Sequence, residues 1–375
     1  FAIATNRMLR ETGWYAANDR KEPDLLGLLD LVALGTVCDV VPLIGLNRAF
    51  VTQGLKVMAK RQNPGLVALA DVARVDSRLT EYHAGFLLGP RVNAGGRVGE
   101  APMGSRLLMT QDPTEAAELA GKLDEWNTER REIEARVLDV AMAQAEEIGT
   151  DAALILASGD GWHAGVIGIV AGRLKERFNR PAFVIGFEGD IGKGSGRSVE
   201  GVDLGSAVIA ARQAGLLENG GGHKMAAGLT VARDKLGELQ SFLDERVAND
   251  LSRNAVIPTL RIDGSVAVKG VQPEFVESLQ RLAPFGAGNS EPRFMLPSVR
   301  VAKADVVGAG HVRCFLSGPD GGRLKAIAFR AAGEPLGDAL LQTDGLALQL
   351  AGKLRPDDWQ GRNDVQMIID DAAAV

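Results

Sequence analysis

Glycine-rich stretches carry the residues best suited to chemistry in this sequence. GKGSGRS, residues 192–198, sets Lys193, Ser195, Arg197 and Ser198 among glycines. Small residues let a backbone approach a ligand closely, while lysine supplies charge and arginine a fork of donors for an oxyanion. The GxxxxGK[ST] spacing of a Walker A loop is absent, and a plain polar turn is the competing reading. NGGGHKMAAG, residues 219–228, runs Gly220, Gly221 and Gly222 into His223. A tight turn needs one or two glycines, so the excess suits a loop that cradles phosphate. GDGWHAGVIGIVAGRL, residues 159–174, places His163 in a glycine turn just before a helix, whose free N–H groups attract anions. Taken alone, His163 reads equally well as a structural turn histidine. GPRVNAGGRVGEA, residues 89–101, reads as a loop offering Arg91, Asn93, Arg97 and Glu100, either to phosphate or to helix capping and packing between domains.

One acid stands apart. In GTVCDVVPL, residues 35–43, Asp39 is the single carboxylate of an otherwise apolar, uncharged run. Burying it unpaired would cost several kcal/mol or more, and no second acid lies beside it. His83 and His311 read as structural. Trp126 and Trp162 read as packing residues, with base stacking as the alternative.

These residues need a scaffold. With 375 residues, the chain suggests two or three domains. Hydrophobic content of 46% and charged content of 24% are those of a globular protein. No apolar run approaches the ~18–20 residues of a membrane span, and FAIATNRMLR has no secretory pattern. Cys38 and Cys314 lie far apart without zinc spacing, which fits a reducing cytoplasm. The net charge of −6 counts against a non-specific DNA coat but leaves room for a local basic groove.

Residues 24–34 read as a buried helix ending at Gly35, and a second helix runs from about Asn47 to Arg61. Asp112, Pro113 and Glu115 predict a capped helix to about Glu147, with a break near Asn127-Thr128. From residue 152 strands and helices alternate: AALILAS, GVIGIVAGRLKERF, PAFVIGF, a helix over 203–216, LTV and DKLGELQSFLDERV. QRLAPFGAGNSEPRF is a Gly/Pro-rich joint. After it VRVAKADVV, HVRCFLS, RLKAIAF, ALQLAGKLR and NDVQMIID read as the short strands of an OB-like barrel.

Taken in order, GTVCDVVPL, GPRVNAGGR, GWHAGVIGIVAGRL, GKGSGRS, GGGHKMAAG and APFGAGNSEP resemble the RecJ-type single-strand-specific 5′→3′ exonucleases of the DHH phosphoesterase superfamily. The resemblance spans nearly the whole chain. It implies an α/β protein: the C-terminal part of a DHH domain over 1–111, a connecting helix over 112–150, a DHH-associated domain over 151–294 and an OB-fold over 295–375. It implies two-metal hydrolysis with Mn²⁺ or Mg²⁺, in which Asp39 is a metal ligand and, with His163, catalytic. Lys193, Ser195, Arg197, Ser198, Gly221, Gly222, His223, Arg91, Asn93 and Arg97 then bind substrate, and Arg300, Lys303 and Lys325 are weaker candidates on the barrel. The partners implied are single-stranded DNA with a 5′ end, single-strand-binding protein and a RecQ-type helicase, acting in DNA repair and recombination, with no membrane. The Asp-x-Asp and Asp-His-His motifs of the family are not found, and the first residue is Phe1. The expectation is therefore a chain that starts past the family signature and is inactive alone. The competing readings are a phosphodiesterase of short oligonucleotides or cyclic dinucleotides, and a non-catalytic single-strand-binding module.

Overall fold

The computed structural model describes residues 1–76, 79–149, 152–253, 259–342, 345–357 and 364–375. Thr150, Asp151 and Asn363, at the edges of expected elements, lie outside the described residues. The chain forms two compact units, residues 1–57 with 259–375, and residues 58–258. This division differs from the expected boundaries at 111 and 294.

The first unit opens with helices α1 (Ala2–Glu11), α2 (Trp14–Ala17), α3 (Leu29–Cys38) and α4 (Gly45–Met58). A Cβ on Gly54 would fall 2.1 Å from the Leu29 carbonyl oxygen, so glycine there lets α4 lie hard against α3. Helix α3 does not stop at Gly35 as expected but continues to Cys38, with Asp39 as its C-cap. Asp39 is exposed, so the burial cost foreseen for its carboxylate does not arise. It meets instead the negative end of the helix dipole. The helix closes with Val40 N–H donating to Val37 O at 3.1 Å and Val41 N–H to Thr36 O at 3.1 Å. That is the Schellman pattern, whose left-handed position glycine normally fills. Here Val40 fills it, at φ 54°.

The second unit holds helices α5 (Pro64–Val72), α6 (Gly89–Val98), α7 (Pro102–Met109) and α8 (Pro113–Ile148). Residues 89–98 are thus helical, not the expected loop. Pro90 fits the first turn, and Ala94 and Gly95 are buried. Gly95 faces Leu123 of α8, and Trp126 fills the space beside Gly99. Such contacts, with Gly65 of α5 against the Leu107 carbonyl, are why residues 58–111 fold together with helix α8. Helix α8 runs unbroken for 36 residues, about 54 Å. Its Asp112 cap accepts from Thr114 N–H at 2.8 Å. Glu115 does not complete a capping box; it accepts from the Thr110 hydroxyl and Arg106. The expected break is absent because Asn127 is buried and its Oδ1 accepts from Arg130 at 3.0 Å.

Beyond α8 comes a five-stranded sheet in the order β1-β2-β3-β5-β4. The strands are β1 (Ile155–Asp160), β2 (Ala182–Glu188), β3 (Ile191–Arg197), β4 (Asn219–His223) and β5 (Ala226–Ala232). Only β1 and β2 are parallel, joined by α9 (Ala164–Phe178). One face packs Ile155, Ala157, Ala182 and Val184 against α9 and Val137, Ala141 and Ala145 of α8. The other packs Phe183, Ile185 and Phe187 against α10 (Leu204–Gln213) and α11 (Leu236–Arg253). GKGSGR and NGGGH, expected within loops, lie in strands β3 and β4.

The first unit resumes with β6 (Gly264–Ser265), α12 (Pro273–Gln280), β7 (Arg293–Val307), β8 (His311–Ser317), β9 (Arg323–Ala328), α13 (Pro335–Leu341), β10 (Ala347–Asp357) and β11 (Asp364–Ala374). The order β10-β11-β9-β8-β7 closes through a β10–β7 pairing, and β9 and β11 run parallel. Closure removes the sheet edges, as in an OB barrel. Val268, Val271 and Val276 join the barrel core, so residues before 294 belong with the barrel. The Gly/Pro joint clamps the Asp39 segment: Leu43 N–H donates to Ala287 O at 2.6 Å, and Arg48 donates to Leu282 O. Asn289 Nδ2 pins the loop, donating to Pro284 O at 2.8 Å.

A β-branched residue in the left-handed region costs ~1–2 kcal/mol. Glycine would recover that, less ~0.5–1 kcal/mol of unfolded-chain entropy. Val40 is exposed, so little packing is lost. We expect Val40→Gly to stabilise the first unit by up to about 1 kcal/mol, read as a raised urea midpoint with unchanged m; a lowered midpoint would refute the assignment.

Candidate anion-binding site

In β3 the period of two sorts GKGSGR cleanly. Gly192, Gly194 and Gly196 face the core, where added Cβ atoms would meet Phe187, Leu229 and Phe183 within 2.4–2.7 Å. Ser195 and Arg197 turn to the α9 side. A Cβ on Gly168 of α9 would sit 3.0 Å from both Ser195 Oγ and Arg197 Nη2, so glycine there leaves room for both. Arg197 Nη1 donates to Ser195 Oγ at 3.1 Å and to Gly196 O at 2.9 Å.

Helix α6 closes the other side. Arg97 Nη1 donates to Gly165 O at 2.9 Å. The Arg97 carbonyl lies so near Gly165 that a Cβ would approach to 2.3 Å. His163 caps α9, its Nδ1 accepting from Gly165 N–H at 3.0 Å. An accepting Nδ1 carries no proton, so the neutral ring is protonated at Nε2. Asn93, Gly96, Arg97, Ala164, Gly165, Gly168, Ser195 and Arg197 together line a cleft of about 480 Å³.

The cleft is cationic. Burial, and secondarily the charge of Arg97, push the Arg197 guanidinium below its ordinary pKa. Among the described residues neither arginine has an ion-pair partner. Sequence reasoning missed two nearby arginines. Arg130 is paired to Glu134 at 2.7 Å, and Arg173 lies 3.9 Å from the same acid. Burial lowers the Arg130 pKa; Glu134 opposes this, while Arg97, Arg131 and Arg173 reinforce it. Their only sequence signal is position on long helices, which marks no site.

Other expected site residues fall elsewhere. Arg91 is held by Asp124 at 2.8 Å and by Leu87 O at 2.7 Å, and it does not line the cleft. Ser198 is 2% exposed and donates to Val202 O at 2.9 Å, a structural role. Lys193 and Gly221 line a separate cavity of about 340 Å³ with Gly194, Asn219, Gly220, Gly228, Leu229 and Thr230. His223 is exposed at the end of β4, and Gly222 packs against Ala226 and Ala227. His83 and His311 accept from the backbone N–H groups of Thr80 and Arg330. Trp162 packs against Gly159 and Gly186.

In the barrel, Arg313 and Phe315 of β8 and Arg323 and Lys325 of β9 line a cavity of about 870 Å³. Lys325 is tied to Asp357 at 2.6 Å and Arg313 to Asp305. Arg300 and Lys303 are exposed on β7 and do not line it. Among the described residues no three His, Cys, Asp or Glu side chains are grouped to hold a metal ion. The residues present therefore do not fit a complete metal centre, and Asp39 stands as a single exposed carboxylate.

RecJ of Dickeya dadantii, a single-stranded-DNA-specific exonuclease, is 37% identical over 380 residues, 98% of this chain and 65% of that protein. The Escherichia coli protein of the same name is 35% identical with the same coverages. The chain is similar to these RecJ proteins over nearly its whole length. Within it, residues 151–249 match the DHHA1 domain and residues 262–371 the RecJ OB domain. The crystal structure of Thermus thermophilus RecJ in complex with Mn²⁺ superimposes with a TM-score of 0.80 at 29% identity, covering 96% of this chain and 51% of that one. The Mg²⁺ complex gives the same TM-score. The chain spans about 65% of the length of these curated relatives.

Strand β5 supplies a test of which face is open. A Cβ on Gly228 would meet only the Gly194 carbonyl, at 3.8 Å. Gly228→Val should fold with a melting temperature no lower than wild type, since glycine inside a strand costs ~0.5–1 kcal/mol. If that face carries a nucleic-acid strand, the same variant should bind short 5′-phosphorylated oligonucleotides at least tenfold more weakly. Unchanged binding would show that the face is not used.

Proposed function

We propose that this chain binds single-stranded DNA by its 5′ end for 5′→3′ exonucleolytic hydrolysis, in the manner of the relatives named above. The observation that carries the reading is the cleft. Arg97 and Arg197 lie near each other without a carboxylate between them, beside the Ser195 hydroxyl and the N-terminus of α9. A terminal phosphate would supply the missing charge. It would accept from both guanidiniums and the hydroxyl, while Asn93 offers a further amide donor. His163, with a proton on Nε2, is the group suited to donate to a phosphate oxygen.

The barrel supports a strand longer than a dinucleotide. Its β8–β9 face presents Phe315, 41% exposed, between cations. That is the face on which OB folds bind oligonucleotides, and an exposed aromatic ring offers base stacking. Arg323 is the better phosphate contact there, because Lys325 is occupied by Asp357. These features favour the exonuclease over a phosphodiesterase of cyclic or very short substrates.

Mn²⁺ or Mg²⁺, with which the Thermus protein was solved, would supply the hydrolytic chemistry. We assign Asp39 as one ligand. The described residues do not by themselves assemble a full ligand set. The strain at Val40 supports the assignment, because left-handed β-branched residues persist where function holds them. Contact with single-strand-binding protein and a RecQ-type helicase follows from the resemblance alone.

Arg197→Met tests the cleft. A lost charge-assisted hydrogen bond is worth ~1.5–3 kcal/mol, or about 10- to 150-fold in affinity. The variant should bind a 5′-phosphorylated single strand no better than its 5′-hydroxyl counterpart. Retention of the wild-type preference would remove the cleft from the reading.

A further inference from the structure

The strand register carries the site past the cleft. Helix α9 packs on the β1–β3 side of its face, where Val184 and Ala182 are covered. Pairing across β3, β5 and β4 sets three cross-strand rows on the continuation of that face. Arg197 stands beside Ala226 and His223; Ser195 beside Gly228 and Gly221; Lys193 beside Thr230 and Asn219. Beyond Ser195 the middle row is bare. A Cβ on Gly221 would meet nothing within 4 Å, and one on Gly228 only a carbonyl at 3.8 Å. Gly220, one residue away, faces the opposite side against Val208 of α10.

The far row is polar and available. Lys193 is exposed and, among the described residues, has no ion-pair partner. Asn219 Oδ1 accepts from Gly220 N–H at 2.8 Å, which leaves its amide N–H₂ free to donate. Thr230 adds a hydroxyl between them. Lys193 stands four residues from Arg197 along β3, about 13 Å at ~3.3 Å per residue. An extended run of about three nucleotides can bridge that distance over Gly228 and Gly221, beside Ser195.

We propose that Lys193, Asn219 and Thr230 form a second subsite, which takes an internal phosphate of the strand whose terminal phosphate lies between Arg97 and Arg197. The proposal rests on the cleft being the terminal-phosphate site. It separates Lys193 from the residues that hold the 5′ end. Gly228 and Gly221 then serve the sugar-phosphate backbone between the two anchors, where a side chain on either would lift the strand from the sheet.

The test measures binding of 5′-phosphorylated thymidine mono-, di- and trinucleotides to wild type, Lys193→Met, Lys193→Arg and Arg197→Met. Wild type should gain affinity with length. Lys193→Met should bind the mononucleotide as wild type does but lose about tenfold on the trinucleotide. Its log–log salt slope there should fall by about 0.7, the value of one single-strand phosphate contact. Lys193→Arg should keep the gain, and Arg197→Met should weaken all three ligands. If Lys193→Met binds every ligand like wild type while Arg197→Met does not, the second subsite is wrong and the cleft stands. Equal weakening of mono- and trinucleotide by Lys193→Met would place Lys193 in the first site and also overturn the proposal. If neither variant changes binding, the cleft reading falls first.

Discussion

Two guanidiniums held near each other without an acid between them are the constraint around which the second unit is arranged. Like charges at close range disfavour each other, and burial of Arg197 adds to that cost. A fold selected for stability alone would place a carboxylate there, as it does where Asp124 meets Arg91 and Glu134 meets Arg130. The unopposed pair of Arg97 and Arg197 is thus a local departure, among the described residues, from the pairing seen at Arg91 and Arg130. Such departures are expected where a ligand completes the site.

The surrounding glycines follow from that constraint. Gly165 lets the backbone of α6 touch the first turn of α9, and Gly168 lets Arg197 and Ser195 lie across the next. Without both, the arginines could not reach one cleft from two different elements. The alternating glycines of β3 do a different job. They let Phe183, Ile185 and Phe187 of β2 and Leu229 of β5 fill the core side of the sheet, so that β3 can present polar side chains on its other face alone. The long helix α8 supplies the rigid wall, clipped to β1 by paired hydrogen bonds of 2.9 Å between Gln144 and Ser158.

Which residues line the cleft was legible in the sequence to a greater degree than the elements that carry them. His163 as a residue ahead of a helix, the strands of the barrel and the long helix are all found near their expected positions. Arg97, Ser195 and Arg197 do converge. What misled was glycine itself. In GKGSGR and NGGGH it reads as turn by propensity, yet both segments are strands, and the period-two alternation of GKGSGR was the signal that outweighed composition. In GPRVNAGGR tertiary packing overrode propensity again, because small residues are what a helix pressed against α8 and α9 needs. Arg91 and Ser198 belonged to the right motifs but point to structural partners. Spacing in a motif does not reveal which side of an element a residue faces until the element is known.

Asp39 illustrates the same limit from the other side. Its apolar surroundings suggested burial, but Leu34, Leu43 and Ala33 are the buried members of that segment and the acid is not. It sits where a carboxylate is least favoured, at a helix C-terminus, ahead of a valine in a glycine conformation, on a turn clamped by the Leu282–Asn289 loop. The first two of these features cost stability, and the loop's hydrogen bonds hold the backbone in place against that cost. A backbone held in this way is what the proposed ligand role of Asp39 requires, with the loop's glycines Gly286 and Gly288 packed against Leu43 and Pro42 to hold the turn in place.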